Sequence, residues 1–205
     1  MVNLRYGFAI HSPHRSVSFY TEERLRQLKD MGFNTILLVM FWNYVENSYY
    51  QAGVYNQTNL SNLRTLVNRI KAVGMTPVMS WFIDYDSPVG VRAWYCGWAT
   101  NEYVNMDAGY VNDDWSLSDY GEATADVWKT GGRTRYGNFI QDMGALFSDC
   151  IHDICKFMYH ATSVTSTQNT TWTMTTFPYL LSRLRASGNK QPAVFTPVHQ
   201  SAIRY

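Results

Sequence analysis

Runs of apolar residues alternate with stretches that are apolar only every third or fourth position. Leu4 to Ile10 reads as a short strand, closed by His11-Ser12-Pro13. Thr21 fits a helix N-cap, with Glu22 and Glu23 in the first turn where the helix dipole favours acids. Leu25, Leu28 and Met31 recur at helical spacing, and Gly32 suits the position just past a helix end. Asn34 to Trp42 is a continuous apolar run rich in β-formers, as expected of a strand buried on both faces. A loop over Asn43 to Gln57 leads to a second helix from about Asn59 to Val73. Its apolar face is Leu60, Leu63, Leu66, Val67 and Ile70. Gly74 ends it, and Pro77 to Ile83 is a third strand.

Residues 84–132 break this rhythm and read as a long loop without periodicity; loops of that length in compact domains are usually functional or disordered. The rhythm returns with a helix over Arg135 to Phe147, with Phe139, Ile140, Met143 and Phe147 on one face. Cys150 to Met158 fits either a fourth strand or a continuation of that helix. After a polar run from Thr162 to Thr171, a helix is expected from about Trp172 to Arg185. Gly188 ends it, and Ala193 to His199 reads as a last strand. The count is about five strands and four helices. Helical connections of this length imply parallel neighbours joined by right-handed crossovers. A doubly wound sheet fits the count, but its Gly-x-Gly-x-x-Gly signature is absent, and His11-Ser12-Pro13-His14 stands in its place. A (β/α)8 TIM barrel also fits, and would place its site on the long segment after strand 3.

Composition sharpens the picture at that segment. The chain has 205 residues, net charge +1 and 46% hydrophobic residues, which excludes a disordered chain and bulk attraction to nucleic acid or anionic membrane. Aromatics are 16%, equal to all charged residues together. Residues 84–126 hold nine of the 16 acids and one base, Arg92, so a stretch of −8 faces a remainder of +9. Trp94, Trp98 and Trp115 lie in it and Trp128 just beyond. No apolar run reaches the ~18 residues of a membrane span. Cys96, Cys150 and Cys155 form neither a disulfide framework nor a zinc site, and no metal is expected. Sequons occur at Asn56, Asn59 and Asn169. The N-terminus has no secretory h-region, so the expected compartment is the cytoplasm, or the exterior if the N-terminus is incomplete.

Leu28-Lys29-Asp30-Met31-Gly32-Phe33-Asn34-Thr35-Ile36, then Phe41-Trp42-Asn43-Tyr44-Val45-Glu46, Gly53-Val54-Tyr55-Asn56 and Ala72-Val73-Gly74-Met75-Thr76-Pro77-Val78-Met79 stand in an order that resembles the clan A glycoside hydrolases. The nearest likeness is to the cellulase family, glycoside hydrolase family 5. Arg135 to Phe147 looks like that family's third helix. The resemblance implies an α/β fold, an incomplete (β/α)8 TIM barrel forming one partial domain over 1–205. It also implies hydrolysis of O-glycosidic bonds in β-linked polysaccharide, with no cofactor. The chain departs from the family's pattern at the chemistry. Leu37 stands where the family has an Arg, and Cys155 to His160 holds no Glu where its Asn-Glu-Pro motif would fall. Asn101-Glu102 is followed by Tyr103 and does not take that role. The catalytic residues are therefore unknown, and weak or absent hydrolysis is expected of a truncated chain. The alternative is a non-catalytic carbohydrate-binding or scaffold protein derived from the barrel.

Sugar faces are apolar and pack on aromatic rings, while carboxylates accept from hydroxyls. This makes Trp94, Trp98, Trp115 and Trp128 candidate stacking platforms, and Asp84 and Asp86 candidate hydroxyl acceptors. Trp42 and His11, at the ends of strands 2 and 1, are candidates for the same cleft. The structural alternatives are local core for the tryptophans, turn chemistry for the aspartates and a turn cap for His11. Trp81 is expected in the core and Glu46 in a structural role. The expected partner is an oligosaccharide or polysaccharide, with no nucleic acid and no membrane. Exposed sheet edges also allow self-association.

Overall fold

The computed structural model describes residues 6–46, 53–82, 84–85, 104–105, 123–125, 130–155 and 172–196. Strands β1 (Gly7–His11), β2 (Thr35–Phe41) and β3 (Thr76–Phe82) alternate along the chain with helical segments. These are α1 (Glu22–Asp30), the single turn α2 (Trp42–Val45) and α3 (Gln57–Ala72). Three short strands come next, β4 (Asp84–Tyr85), β5 (Val104–Asn105) and β6 (Ala123–Ala125), and then α4 (Thr130–Leu146). Strand β7 (Ile151–Cys155), a π-helical turn (Trp172–Thr176), α5 (Phe177–Ala186) and β8 (Ala193–Thr196) complete the described elements.

The main sheet has the order β1-β2-β3-β7-β8, and all its pairs are parallel. A doubly wound sheet reverses its strand order about the first strand. This one advances sequentially, which is the order of a (β/α)8 barrel and decides between the two architectures left open by the sequence. The five strands and their helices form an incomplete (β/α)8 arrangement.

Local chemistry explains the boundaries. Thr21 Oγ1 accepts from Arg24 N at 3.4 Å and caps α1 as expected. Asn56 Oδ1 accepts from Asn59 N at 2.9 Å and caps α3, which starts two residues earlier than its apolar face suggested. Gly32 and Gly74 take φ of 98° and 74°, which any other residue would adopt under strain. Cys150 is buried at the end of the α4 connection, and Ile151–Cys155 of the ambiguous segment is a strand, while residues 156–158 lie outside the described residues. Residues 84–132 are not wholly loop. Strand β6 pairs antiparallel with β4 and β5, and α4 begins at Thr130. Strands of two or three residues carry no readable period, and Gly131-Gly132 are such poor helix formers that the first turn of α4 was hidden. Strand 2 ends at Phe41, so Trp42 opens the next turn instead of closing the strand.

Side chains alternate across the sheet, which gives each strand an outer face against the helices and an inner face. The outer face carries Ile10, Ile36, Leu38, Met40, Met79, Trp81 and Ile154, all buried. Against it pack Leu63, Leu66, Val67 and Ile70 of α3, Tyr136, Phe139, Ile140 and Met143 of α4, and Leu180 and Leu184 of α5. Among the described residues Trp81 is the largest fully buried side chain, and it meets Phe139 edge-on at 5.3 Å between ring centroids. Its indole Nε1 donates to His152 Nδ1 at 3.0 Å. That nitrogen is therefore unprotonated, and His152 Nε2–H donates to the Phe147 carbonyl at 3.0 Å. Burial holds His152 at a pKa of about 4. His14, in a short 3-10 turn after β1, is also buried and held at about 4, by burial and by the adjacent Arg15.

Two predictions follow from this packing. An added Cβ at Gly144 in α4 would meet Leu184 Cδ1 at 2.7 Å and Ser187 Oγ at 2.5 Å, and Leu184 is fully buried. Gly144→Ala should cost about 1–2 kcal/mol in urea denaturation, because overpacking outweighs the gain in helix propensity. At Gly137 the obstacle is the end of the Tyr179 ring, so Gly137→Ala should cost less. The histidines also set a pH dependence. Their folded pKa values lie below the unfolded value of about 6.5. As pH falls from about 6.5 towards about 4, the unfolded chain takes up protons that the folded chain refuses. Stability should be full above this window and fall within it, by up to about 1.4 kcal/mol per pH unit for each histidine. The slope should drop in His152→Gln; unfolding curves with equal slope in both proteins would show that His152 does not set it.

Candidate functional site

Parallel strands of one sheet end on the same side, so His11, Phe41, Phe82, Cys155 and Thr196 mark one rim of the sheet. In a (β/α)8 arrangement this C-terminal rim is where sites form. His11 is the last residue of β1 and is exposed. Trp42 is the first residue after β2, and Asp84 is the second residue after β3, where it opens β4. Three of the residues singled out by sequence thus stand at the same ends of three adjacent strands. Asp86, Trp94, Trp98, Trp115 and Trp128 lie outside the described residues.

The turn after β1 is built tightly. Ser12 adopts φ 49°, a left-handed conformation rare outside glycine, and sends the chain into the 3-10 turn Pro13–Arg15. Asn62 of α3 donates to the His14 carbonyl at 2.9 Å, and the His14 ring lies 4.6 Å from the Tyr44 ring of α2. The Arg15 guanidinium sits 5.4 Å from the same tyrosine ring. The turns after β1 and β2 are therefore packed together. Glu46 is fully buried and accepts from the Gly53 backbone N–H, the structural role expected of it.

The inner face of the sheet carries what the sequence reading missed. Ile10, Trp81 and His152 belong to the outer core, so their neighbours His11, Ser80 and Asp153 belong to the inner face. The register puts His11 beside Val39, Val39 beside Ser80, and Ser80 beside Asp153. These four residues form one row across four strands. Ser80 Oγ donates to Asp153 Oδ2 at 2.8 Å, and both residues are buried. One layer nearer the strand starts, the row is Ala9, Leu37, Val78 and Ile151, with no polar side chain. The available signal was a Ser and an Asp in the middle of apolar strand sequences, Val-Met-Ser-Trp-Phe and Ile-His-Asp-Ile-Cys.

The opposite rim is different. A cavity of about 350 Å3 lies at the starts of β3, β7 and β8, lined by Met75, Pro77, Ile151 and Pro192 among others. Asp149 lies on its wall and is held by Lys71 Nζ at 2.5 Å and Arg64 Nη1 at 2.9 Å. Burial raises the Asp149 pKa, but these two cations outweigh it and hold the carboxyl well below the usual range. Such a clamp belongs to the stabilising end of the barrel. Among the described residues no group of three or more His, Cys, Asp or Glu could hold a metal ion.

No protein-family model matches the chain, and no curated protein matches it. Solved structures do match. An exo-β-1,4-mannosidase from Opitutaceae bacterium strain TAV5 aligns over 98% of this chain and 33% of its own, with 16% identity and a TM-score of 0.63. An endo-glycoceramidase II from a Rhodococcus species, solved with a cellobiose-like isofagomine, aligns over 93% of this chain and 48% of its own, with 17% identity and a TM-score of 0.64. A broad-specificity endoglucanase of glycoside hydrolase family 5 from Clostridium cellulovorans aligns over 91% and 49%, with 15% identity and a TM-score of 0.59. The chain spans a third to a half of the length of these proteins. At such low identity the likeness is one of fold, and the chain has the fold of the clan A glycoside hydrolases over most of its length.

Proposed function

We propose that residues 1–205 form one partial barrel domain that binds β-linked oligosaccharide or polysaccharide at the C-terminal rim, in the manner of a cellulase-like glycoside hydrolase. The supporting observation is the shared fold of three glycan-processing enzymes, named as a mannosidase, an endoglucanase and a glycoceramidase. His11, Trp42 and Asp84 stand at the ends of adjacent strands on that rim. Trp94, Trp98, Trp115 and Asp86 belong to the −8 stretch, with Trp128 just beyond it, and that stretch leaves the sheet at the end of β3, where β4 opens. The ligand class is neutral and rich in hydroxyls, which suits tryptophans interleaved with carboxylates better than a nucleic acid would. Among the described residues no helix is long and apolar enough to cross a membrane.

Hydrolysis by this chain is proposed to be weak or absent, leaving binding as its main activity. Retaining hydrolysis needs two carboxyls about 5–5.5 Å apart, one as acid and one as nucleophile. The family's Asn-Glu-Pro motif has no counterpart after β7, where Lys156-Phe157-Met158 follows. A non-catalytic carbohydrate-binding protein is the second reading, favoured by the same departure.

Cellotetraose and β-1,4-mannotetraose should bind, as measured by calorimetry, and the double variant Trp94→Ala/Trp98→Ala should weaken binding at least tenfold. Reducing-sugar release from carboxymethylcellulose should stay near background. A robust rate abolished by mutating one of the chain's own Asp or Glu residues would reverse the assignment of weak activity, and no binding of either sugar would remove the carbohydrate reading. Among the described residues β1 and β8 each pair on one side only, so the chain is also proposed to self-associate through these edges. Sedimentation should show concentration-dependent association that Ala9→Lys on β1 suppresses; a monomer at all concentrations would refute it.

A further inference from the structure

The cavity at the strand starts lies on the rim opposite the proposed glycan site. Its volume of about 350 Å3 falls at the lower end of the about 300–1,000 Å3 typical of small-molecule sites. Met75, Pro77 and Ile151 give it an apolar wall, and all three are buried. Lys71, Thr76, Asp149 and Gln191 add polar groups to the same lining.

The hydrogen-bonding capacity of these polar side chains is unevenly used. A carboxylate has about four acceptor positions. Those of Asp149 are taken: Arg64 Nη1 donates to its two oxygens at 2.9 and 3.2 Å, Lys71 Nζ to one at 2.5 Å, and the Cys150 thiol lies 3.7 Å from the other. Lys71 gives a second hydrogen to the Asp149 carbonyl at 2.8 Å. An ammonium has three, so one is left over. Among the described residues neither the Thr76 hydroxyl nor the Gln191 side-chain amide makes a hydrogen bond; Gln191 is tied down through its backbone alone. The lining thus offers a spare cationic donor and two neutral donors, while its carboxylate is spent.

Charge runs the same way. Arg64 and Lys71 face the single carboxylate of Asp149, which they keep ionised at neutral pH. A third cation, Arg185, donates to the Gln191 carbonyl at 2.7 Å beside the same wall. The excess is positive, and charge-assisted hydrogen bonds to a carboxylate are the strong ones.

We propose that this cavity binds a small organic monocarboxylate. Its carboxylate accepts from Lys71 Nζ, with the Thr76 hydroxyl and the Gln191 amide as further donors, and its apolar body lies against Met75, Pro77 and Ile151. The site does not depend on the carbohydrate reading.

Calorimetric titration of the full chain with benzoate and with hexanoate tests it, against benzamide and hexanamide, which keep the body and drop the charge. At least one carboxylate should bind, with its amide at least tenfold weaker. Lys71→Met should weaken binding at least tenfold, since a hydrogen bond to a charged group is lost. Gln191→Ala and Thr76→Val should each weaken it several-fold, while Arg26→Gln, at an exposed cation on α1, should leave it unchanged. Cooperative urea unfolding shows which variants fold. Gln191 is exposed and its side chain makes no bond within the described fold, so Gln191→Ala keeps the test decisive if Lys71→Met does not fold. The site is overturned if neither carboxylate binds, or if each amide binds as tightly as its acid. It is equally overturned by an unchanged Kd in folded Lys71→Met, or in Gln191→Ala when the lysine variant does not fold. Saturating cellotetraose should leave carboxylate binding unchanged; competition would place the acid on the other rim and overturn this one.

Discussion

Trp81 and His152 share a hydrogen bond across seventy-one positions of chain, and the next pair of residues does the same on the other side of the sheet. Ser80 bonds Asp153 on the inner face while Trp81 bonds His152 on the outer face. Strands β3 and β7 are therefore fixed to each other from both sides. Bringing such distant segments together costs loop-closure entropy, which grows only slowly with length. A one-residue slip would put Trp81 among the inner residues and Asp153 in the apolar core, so the register has no tolerable neighbour. Everything carried between the two strands, including β4, β5, β6 and α4, depends on this pairing.

Much of the fold was legible because it rests on strong local signals. The apolar run Thr35 to Phe41, the spacing of Leu60, Leu63, Leu66, Val67 and Ile70, and the glycines after α1 and α3 each act within one element. Elements that depend on tertiary pairing were not legible in the same way. Strand β7 reads as strand or helix from Ile-His-Asp-Ile-Cys alone, and only its pairing with β3 and β8 decides. The short strands β4, β5 and β6 exist through their partners, and their sequences carry no period. The choice between barrel and doubly wound sheet likewise needed the strand order.

The candidate site divides along the same line. His11, Trp42 and Asp84 could be found because they follow apolar runs, and strand ends are visible in sequence. Ser80 and Asp153 could not, because their meeting depends on register. The segment that matches the family's Asn-Glu-Pro region begins at Cys155, two residues beyond the carboxylate that the sheet buries. His152, on the outer face of the same strand, has both of its ring nitrogens hydrogen-bonded within the core.

Two of the three sequons have a consequence of their own. Asn56 gives its side-chain oxygen to the first turn of α3, and Asn59 gives its amide nitrogen to the Tyr44 carbonyl at 2.6 Å. An N-linked glycan would be built on that same type of nitrogen. On the folded chain the Asn59 amide already gives one hydrogen to Tyr44, so a glycan there would take the place of its other hydrogen, and the remaining one would have to stay on that carbonyl for the turn that carries Tyr44 to keep its tie to α3.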